Sequence, residues 1–364
     1  MNISLKNIVR QFQIEALIES VDSLGEGFIS DTFLVKTPDR SSCNYILQRK
    51  NRRVFPDIPA MMQNIIVVTD HLKAKVLEQG GDPMAESMTI LRTRDGESYY
   101  LDDEGEYWTM CVYIEDGTSY ERVETPGIAY EGGRGIGSFH RMLIDLATPL
   151  AHTLPGFHDM ACRFHQWDDA LSEDRAGRAS GLEQEIEWIE NRREDMLAFW
   201  RLVEDGTIPD RVSHNDTKIN NILFDSRGKA LCMIDLDTVM NSTVLNDFGD
   251  AIRTYANAGA EDDLDIARVG VDMGIFSAFA EGYLKEARSF LRREEIENLA
   301  FSPRYITFEQ VLRFLMDYIN GDSYYKIQQP DHNLRRTRAQ HALLRSMEKH
   351  YGEMQEAIRR LGFV

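Results

Sequence analysis

Near residues 114 to 119 the hydrophobic pattern of this chain changes period, and that change limits its fold more than any other feature. Before it, apolar residues come in strand-length pieces, "DTFLVKT", "NYILQRK" and "EYWTMCVYI", rich in β-branched and aromatic side chains. Between the second and third pieces, "IPAMMQNIIVVTDHLKAKVLEQGG" puts Met61, Ile65, Leu72 and Val76 on one helical face and stops at Gly80 and Gly81. Beyond it the periodicity is helical over long segments, roughly 182–203, 263–287, 305–320 and 335–361. One exception, "NILFDSRGKALCMID", is two short apolar runs joined at Ser226, Arg227 and Gly228, a hairpin signal. The expected class is therefore α+β, with a small antiparallel-sheet lobe (residues 1–116) preceding a larger, mainly helical lobe (residues 117–364).

A chain of 364 residues is long enough for two lobes and a cleft. With 43% hydrophobic and 28% charged residues it has the composition of a globular protein. No apolar run approaches the roughly 18 residues that span a bilayer, and "MNISLKNIVRQFQIE" lacks the core of a signal peptide, so a cytoplasmic protein without a membrane partner is expected. Cys43, Cys111, Cys162 and Cys232 are far apart and suggest neither zinc nor a disulfide framework. A formal charge of −19 opposes binding to nucleic acid. The basic cluster "LRRTRAQHALLR" spaces its arginines as one helix face would, solvated or paired within the chain.

Chemistry concentrates in "SHNDTKINNILFD", Ser213 to Asp225. Moving a phosphoryl group to a hydroxyl requires a carboxylate to accept the proton, a cation to compensate phosphate charge, and oxygen ligands for Mg²⁺. Asp216, Lys218 and Asn221 are of those three types, in the order D-x-K-x-x-N, which parallels the H-R-D-x-x-x-x-N loop of protein kinases. His214 precedes Asp216 by two positions, as the His does there. A second metal-binding carboxylate is expected on the hairpin that follows. "ALCMIDLDTVM" ends its apolar run at Asp235, and if the strand continues, Asp235 and Asp237 point the same way and hold one metal or two.

"HNDTKINNILFD" followed by "MIDLDTVMNSTVLNDFGDAIR" resembles the aminoglycoside phosphotransferase and choline kinase superfamily, which has a bilobal protein-kinase-like fold. Within it the likeness is to the bacterial N-acetylhexosamine 1-kinases, and it extends to "YILQRKNRRVFPD", "LRFLMDYINGDSYY" and "DHNLRRTRAQ". The resemblance implies ATP-dependent phosphorylation of the anomeric hydroxyl of GlcNAc or GalNAc, with ATP and Mg²⁺ bound. It assigns the base to Asp216, the metal-binding carboxylate to Asp235, beside Asn221 as the metal ligand read from the loop itself, and sugar contacts to Arg313 and Tyr324. Adenine is expected against the connecting segment near Tyr113 and Ile114.

The chain also departs from the kinase pattern. Gly25 and Gly27 in "LGEGFISDTFLV" allow backbone N–H groups to approach phosphates, yet no Walker A sequence is present. Where kinases place a phosphate-pairing lysine on the third strand, this chain has Gln48, a hydrogen-bond donor without charge. Arg49 should face the other way and Lys50 should lie past the strand end, which leaves Lys218 as the expected source of positive charge. His140 is expected to be structural, and His158 and His165 to be packing or surface residues. Asp247 and Asp250 are expected to brace the catalytic loop or the substrate side, paired with Arg253. Two alternatives stay open: a kinase of choline, an aminoglycoside or a hydroxy amino acid, and a nucleotide-binding module without turnover.

Overall fold

The structure is a computed structural model that describes residues 5–24, 30–38 and 42–362. Gly25 and Gly27 lie outside the described residues. The chain forms two compact units. The first contains Met1–Ser119, Met142–Leu154 and Ile222–Met240; the second contains Tyr120–Arg141, Pro155–Asn221 and Asn241–Val364.

The first unit is built on strands β1 (Ser20–Ser23), β2 (Asp31–Lys36), β3 (Tyr45–Lys50), β4 (Tyr100–Leu101) and β5 (Tyr107–Val112) in the antiparallel order β1-β2-β3-β5-β4. Alternation sorts their side chains by face. Val35, Leu47, Trp108 and Met110 enter a core with Ile8, Val9 and Phe12 of the N-terminal segment that contains helix α1 (Leu5–Val9). Gln48 is in register with Thr32 on β2 and Thr109 on β5. Strand β3 runs through Lys50, against the expectation that Lys50 lies beyond its end; pairing of Lys50 with Tyr107 on β5 extends the ladder by that residue.

Helix α2 (Ile58–Glu78) starts at Asp57, whose carboxylate accepts from Ala60 N at 3.0 Å. It buries Met61, Ile65, Leu72 and Val76 and is followed by Gly80 at φ +75°. A short helix α3 (Pro83–Glu86) comes next. The expected hairpin forms from Ile222–Phe224 and Ala230–Met233, with Gly228 at φ +73° in its turn. Its second strand ends at Met233, so alternation does not carry on to Asp235 and Asp237. Asp235 is left-handed instead (φ 60°, ψ 56°) and leads into a 3₁₀ turn, Leu236–Thr238.

The second unit is helical: α4 (Pro126–Leu143), α5 (Met160–Glu173), α6 (Glu183–Glu190), α7 (Arg193–Glu204), α8 (Val244–Tyr255), α9 (Met273–Ala287), α10 (Arg293–Asn298), α11 (Ser302–Ile319), α12 (His332–Lys349) and α13 (Tyr351–Gly362). Helix α11 is its centre, packed on α12, α8 and α5. The long expected segments divide: 182–203 breaks at Asn191–Arg192, 335–361 breaks at His350, and the helix expected from 263 begins at Met273. Aspartates explain the last difference. Asp263, Asp265 and Asp272 accept from backbone N–H groups two residues on, at 2.9, 3.2 and 2.8 Å, and so compete with helix formation until Asp272 caps α9. Arginines of the basic cluster pair within the chain, Arg338 with Glu185 at 2.7 Å and Arg336 with Glu261 at 3.7 Å. No helix among the described residues is long and apolar enough to cross a membrane.

Candidate active site

The short strand Arg211–Ser213 delivers the chain to a tight loop in which Asn215 takes φ +66°. The H-x-D spacing has a local reason, since Asp216 N donates to His214 Nδ1 at 3.3 Å. A 3₁₀ turn, Ile219–Asn221, then brings Asn221 back, so that its Nδ2 donates to the backbone oxygen of Asp216 at 2.9 Å and to its Oδ2 at 3.0 Å. Lys218 Nζ stands 3.1 Å from the same Oδ2. Asp216, Lys218 and Asn221 are thus one constellation, and the Asp216 side chain keeps partial access to solvent.

Helix α8 holds this loop from behind. Asp247, fully buried, accepts from His214 N at 2.7 Å and Asn215 N at 2.6 Å, while Asp250 accepts from Thr217 N at 2.9 Å. His140 on α4 donates Nε2–H to Asp247 at 2.7 Å, with Nδ1 facing the Tyr283 hydroxyl at 3.2 Å. Burial by itself would raise the Asp247 carboxyl, but the hydrogen bond and charge of His140, with His214 beside it, hold it below its ordinary value. Arg253 pairs with Asp250 at 2.8 Å and with Glu261 at 3.1 Å; the partner of Asp247 is His140 instead.

On the other side of the loop, His158 is buried at φ +59°; its Nδ1 donates to Glu309 at 2.6 Å and its Nε2 faces the carbonyl of Asn215 at 3.4 Å. Glu309 also accepts from Arg163 at 2.9 Å. One turn along α11 is Arg313, which lines a cavity of about 290 Å³ with Arg163, Asp317, Asn320, Tyr324 and Tyr325. The Arg313 guanidinium lies 5.8, 5.7 and 5.5 Å from the ring centres of Phe157, Tyr324 and Tyr325. Asp317 shapes this wall by accepting from the backbone N–H of Ser323, Tyr324 and Tyr325 at 2.8–2.9 Å and from Asn333 Nδ2 at 2.9 Å. Asn320 Oδ1 and Tyr325 Oη are buried without a hydrogen-bond partner. Burial pushes the Tyr325 hydroxyl up to about 12, against the pull of Arg313, so it stays a donor. Arg313 and Tyr324 stand together on this wall with Asn320 and Tyr325, which the sequence does not single out; "YINGDSYY" names the residues but not which atoms are orphaned.

In the first unit, Gln48 and Lys50 share a face of β3. Lys50, only 2% exposed, donates to both oxygens of Asp237 and to Gln48 Oε1, each at 2.7 Å. Arg49 points to the opposite face and pairs with Asp31. Tyr113 N donates to Asn44 O at 2.9 Å, and Ile114 is buried beside it in the sequence.

Asn221 of the second unit and Asp235 of the first each offer an oxygen of the kind that binds Mg²⁺. Asn221 spends its amide hydrogens on Asp216, which turns its Oδ1 away as an oxygen ligand. Asp235 supplies a carboxylate, and Mg²⁺ ordinarily takes only one or two from protein, completing its shell with water and phosphate.

Solved structures that share this fold include small-molecule kinases. A microcompartment-associated aminopropanol kinase is 15% identical, with a TM-score of 0.62 over 96% of this chain and 98% of its own. A spectinomycin phosphotransferase, solved with ADP and spectinomycin, is 12% identical, with a TM-score of 0.60 over 99% and 100%. A choline/ethanolamine kinase family protein from Mesorhizobium loti is 14% identical, with a TM-score of 0.54 over 94% and 93%. A five-stranded antiparallel unit, a larger helical unit and an H-x-D loop braced from a helix behind it define the class, a kinase-like fold. Residues 20–279, more than two thirds of the sequence, match the phosphotransferase enzyme family. This chain belongs to that family.

Proposed function

We propose that this protein transfers the γ-phosphoryl group of ATP to the anomeric hydroxyl of an N-acetylhexosamine, GlcNAc or GalNAc, and releases the sugar 1-phosphate and ADP. The observation that carries phosphoryl transfer is the braced loop: Asp216 is held by His214 and Asn221 and backed by Asp247 and Asp250. Asp216 receives the proton of the acceptor hydroxyl as its oxygen bonds to the γ-phosphorus and the bond to the bridging oxygen breaks. Because the transition state is loose, positioning and charge compensation supply most of the catalysis. Lys218 is the cation next to the base. Mg²⁺, held through Asn221 and Asp235, would neutralise phosphate charge. Gln48 offers its amide to the nucleotide, with adenine against Tyr113 and Ile114, and the ADP in the spectinomycin phosphotransferase structure supports a nucleotide donor.

The cavity on α11 supports the acceptor. Its lining includes a guanidinium among rings and two residues, Asn320 and Tyr325, whose buried amide oxygen and phenol have no hydrogen-bond partner. Glu309 is already bonded to His158 and Arg163, and Asp317 is already bonded to three backbone N–H groups and Asn333. Such a surface favours a neutral polyol with an amide over an ammonium ion. The cationic acceptors named for the similar structures remain a second reading, which the net charge of −19 favours through long-range attraction. An acceptor panel with ³¹P analysis of the product separates the two. Turnover of N-acetylhexosamines to 1-phosphates is expected; preference for aminopropanol, choline or spectinomycin would replace the acceptor. Asp216→Asn is expected to abolish transfer and leave ADP affinity within about threefold, since the base acts in the chemical step.

A further inference from the structure

We propose that Lys50 is a positioning residue for the metal ligand Asp235, acting through Asp237. This rests on the reading of Asp235 given above. An ammonium group has three donors. Those of Lys50 are all used at 2.7 Å, two on Asp237 and one on Gln48, so it is a clasp between β3 and the 3₁₀ turn Leu236–Thr238, with no donor left for a phosphate.

Asp235 stands at the entry to that turn. Its left-handed backbone (φ 60°, ψ 56°) is a conformation that non-glycine residues hold only where the surroundings fix it. The turn is held at its middle residue and just past its end. Lys50 grips Asp237, and Asn64 of α2 donates to Val239 O at 3.0 Å and to Ala151 O at 2.8 Å. Loss of the Lys50 contact frees the turn at the residue two beyond Asp235 and loosens the backbone from which its carboxylate projects.

Stability alone does not account for this pair. A buried ion pair loses hydration on both groups, and an apolar pair of similar volume is often as stable or more so. The clasp therefore has a consequence that an apolar replacement would not reproduce, namely the direction and register of the turn.

The test uses the full chain as Lys50→Met, the double variant Lys50→Met with Asp237→Leu, and Asp235→Asn, with Mn²⁺ as the probe. Mn²⁺ affinity in the presence of ADP is read by electron paramagnetic resonance, ADP affinity without metal by calorimetry, and Tm by thermal unfolding. Lys50→Met leaves the Asp237 carboxylate buried and unpaired and is expected to lower Tm. The double variant removes both charges and is expected to recover Tm while still binding Mn²⁺ about 10–100-fold more weakly, the usual loss when a ligand's supporting residue is removed. ADP affinity without metal should stay within about twofold. Wild-type Mn²⁺ affinity in the double variant would mean that the pair is structural only, and would overturn the proposal. Unchanged Mn²⁺ affinity in Asp235→Asn is a different failure, because it removes Asp235 as the ligand whatever Lys50 does.

Discussion

Arg313 is a guanidinium set among three rings, and its value to the site lies in its planar fork. Arg313→Lys keeps the charge but loses the fork and the stacking. Such a variant is expected to raise KM for the acceptor about 10–100-fold, the range for one to two charge-assisted hydrogen bonds. KM for ATP should be unchanged, and steady-state kinetics with each substrate varied in turn checks both. At this scale the sequence was legible where function is local. The order of Asp216, Lys218 and Asn221 points to their grouping because all three lie within one loop and one 3₁₀ turn. It was illegible where partners are distant in the chain. Lys50 and Asp237 are 187 positions apart and His140 and Asp247 are 107, so neither pair leaves a periodic trace, and strand length alone places Lys50 outside the sheet.

Among the elements, α4 and α9 approach most closely through glycine. A Cβ on Gly282 would lie 1.9 Å from Tyr130 O, and one on Gly133 would lie 2.2 Å from Phe279 O, both backbone atoms that no rotamer change can move. Gly282→Ala should force the helices apart, at a cost of about 1–3 kcal/mol and roughly 2–10 °C in Tm by calorimetry. Since α4 carries His140 and α9 carries Tyr283, kcat is expected to fall as well, through Asp247 and the loop it holds. Period shifts identified strands β2, β3 and β5 and helix α2, because their patterns are set by one buried face. The break at His350 and the late start of α9 were not foreseen. The first lies in a continuous helical pattern, and in the second the aspartates decide between helix and turn through hydrogen bonds that periodicity does not record.

For the whole molecule, pH acts through two kinds of buried group. Burial would raise the Glu309 carboxyl, yet His158 and Arg163 hold it well below its ordinary value of 4.5, as His140 holds Asp247 below 3.8. Their contribution to stability is complete above those values and is lost as pH falls through the lower folded ones. Burial, helped by Arg192 and Arg345, pushes His341 down to about 3 from 6.5, so the unfolded chain takes up that proton first and stability declines from pH 6.5 downward. Tm measured from pH 8 to 3 should therefore slip gently below 6.5 and steeply below about 4.5. His341→Gln should flatten the gentle limb, and Glu309→Gln should lower Tm at neutral pH while reducing the slope of the steep one. Membership of the units follows no simple cut in the sequence, since Met142–Leu154 and Ile222–Met240 belong with the sheet. During synthesis the sheet unit must therefore wait: when Ser119 leaves the ribosome, Lys50 has no Asp237 to bury against, and the ammonium disfavours closing that face early. Only after Met240 has emerged, by which time most of the helical chain up to α7 is already outside, can the first unit be completed. The strands that are translated first thus stay unfinished until Met240 has been made.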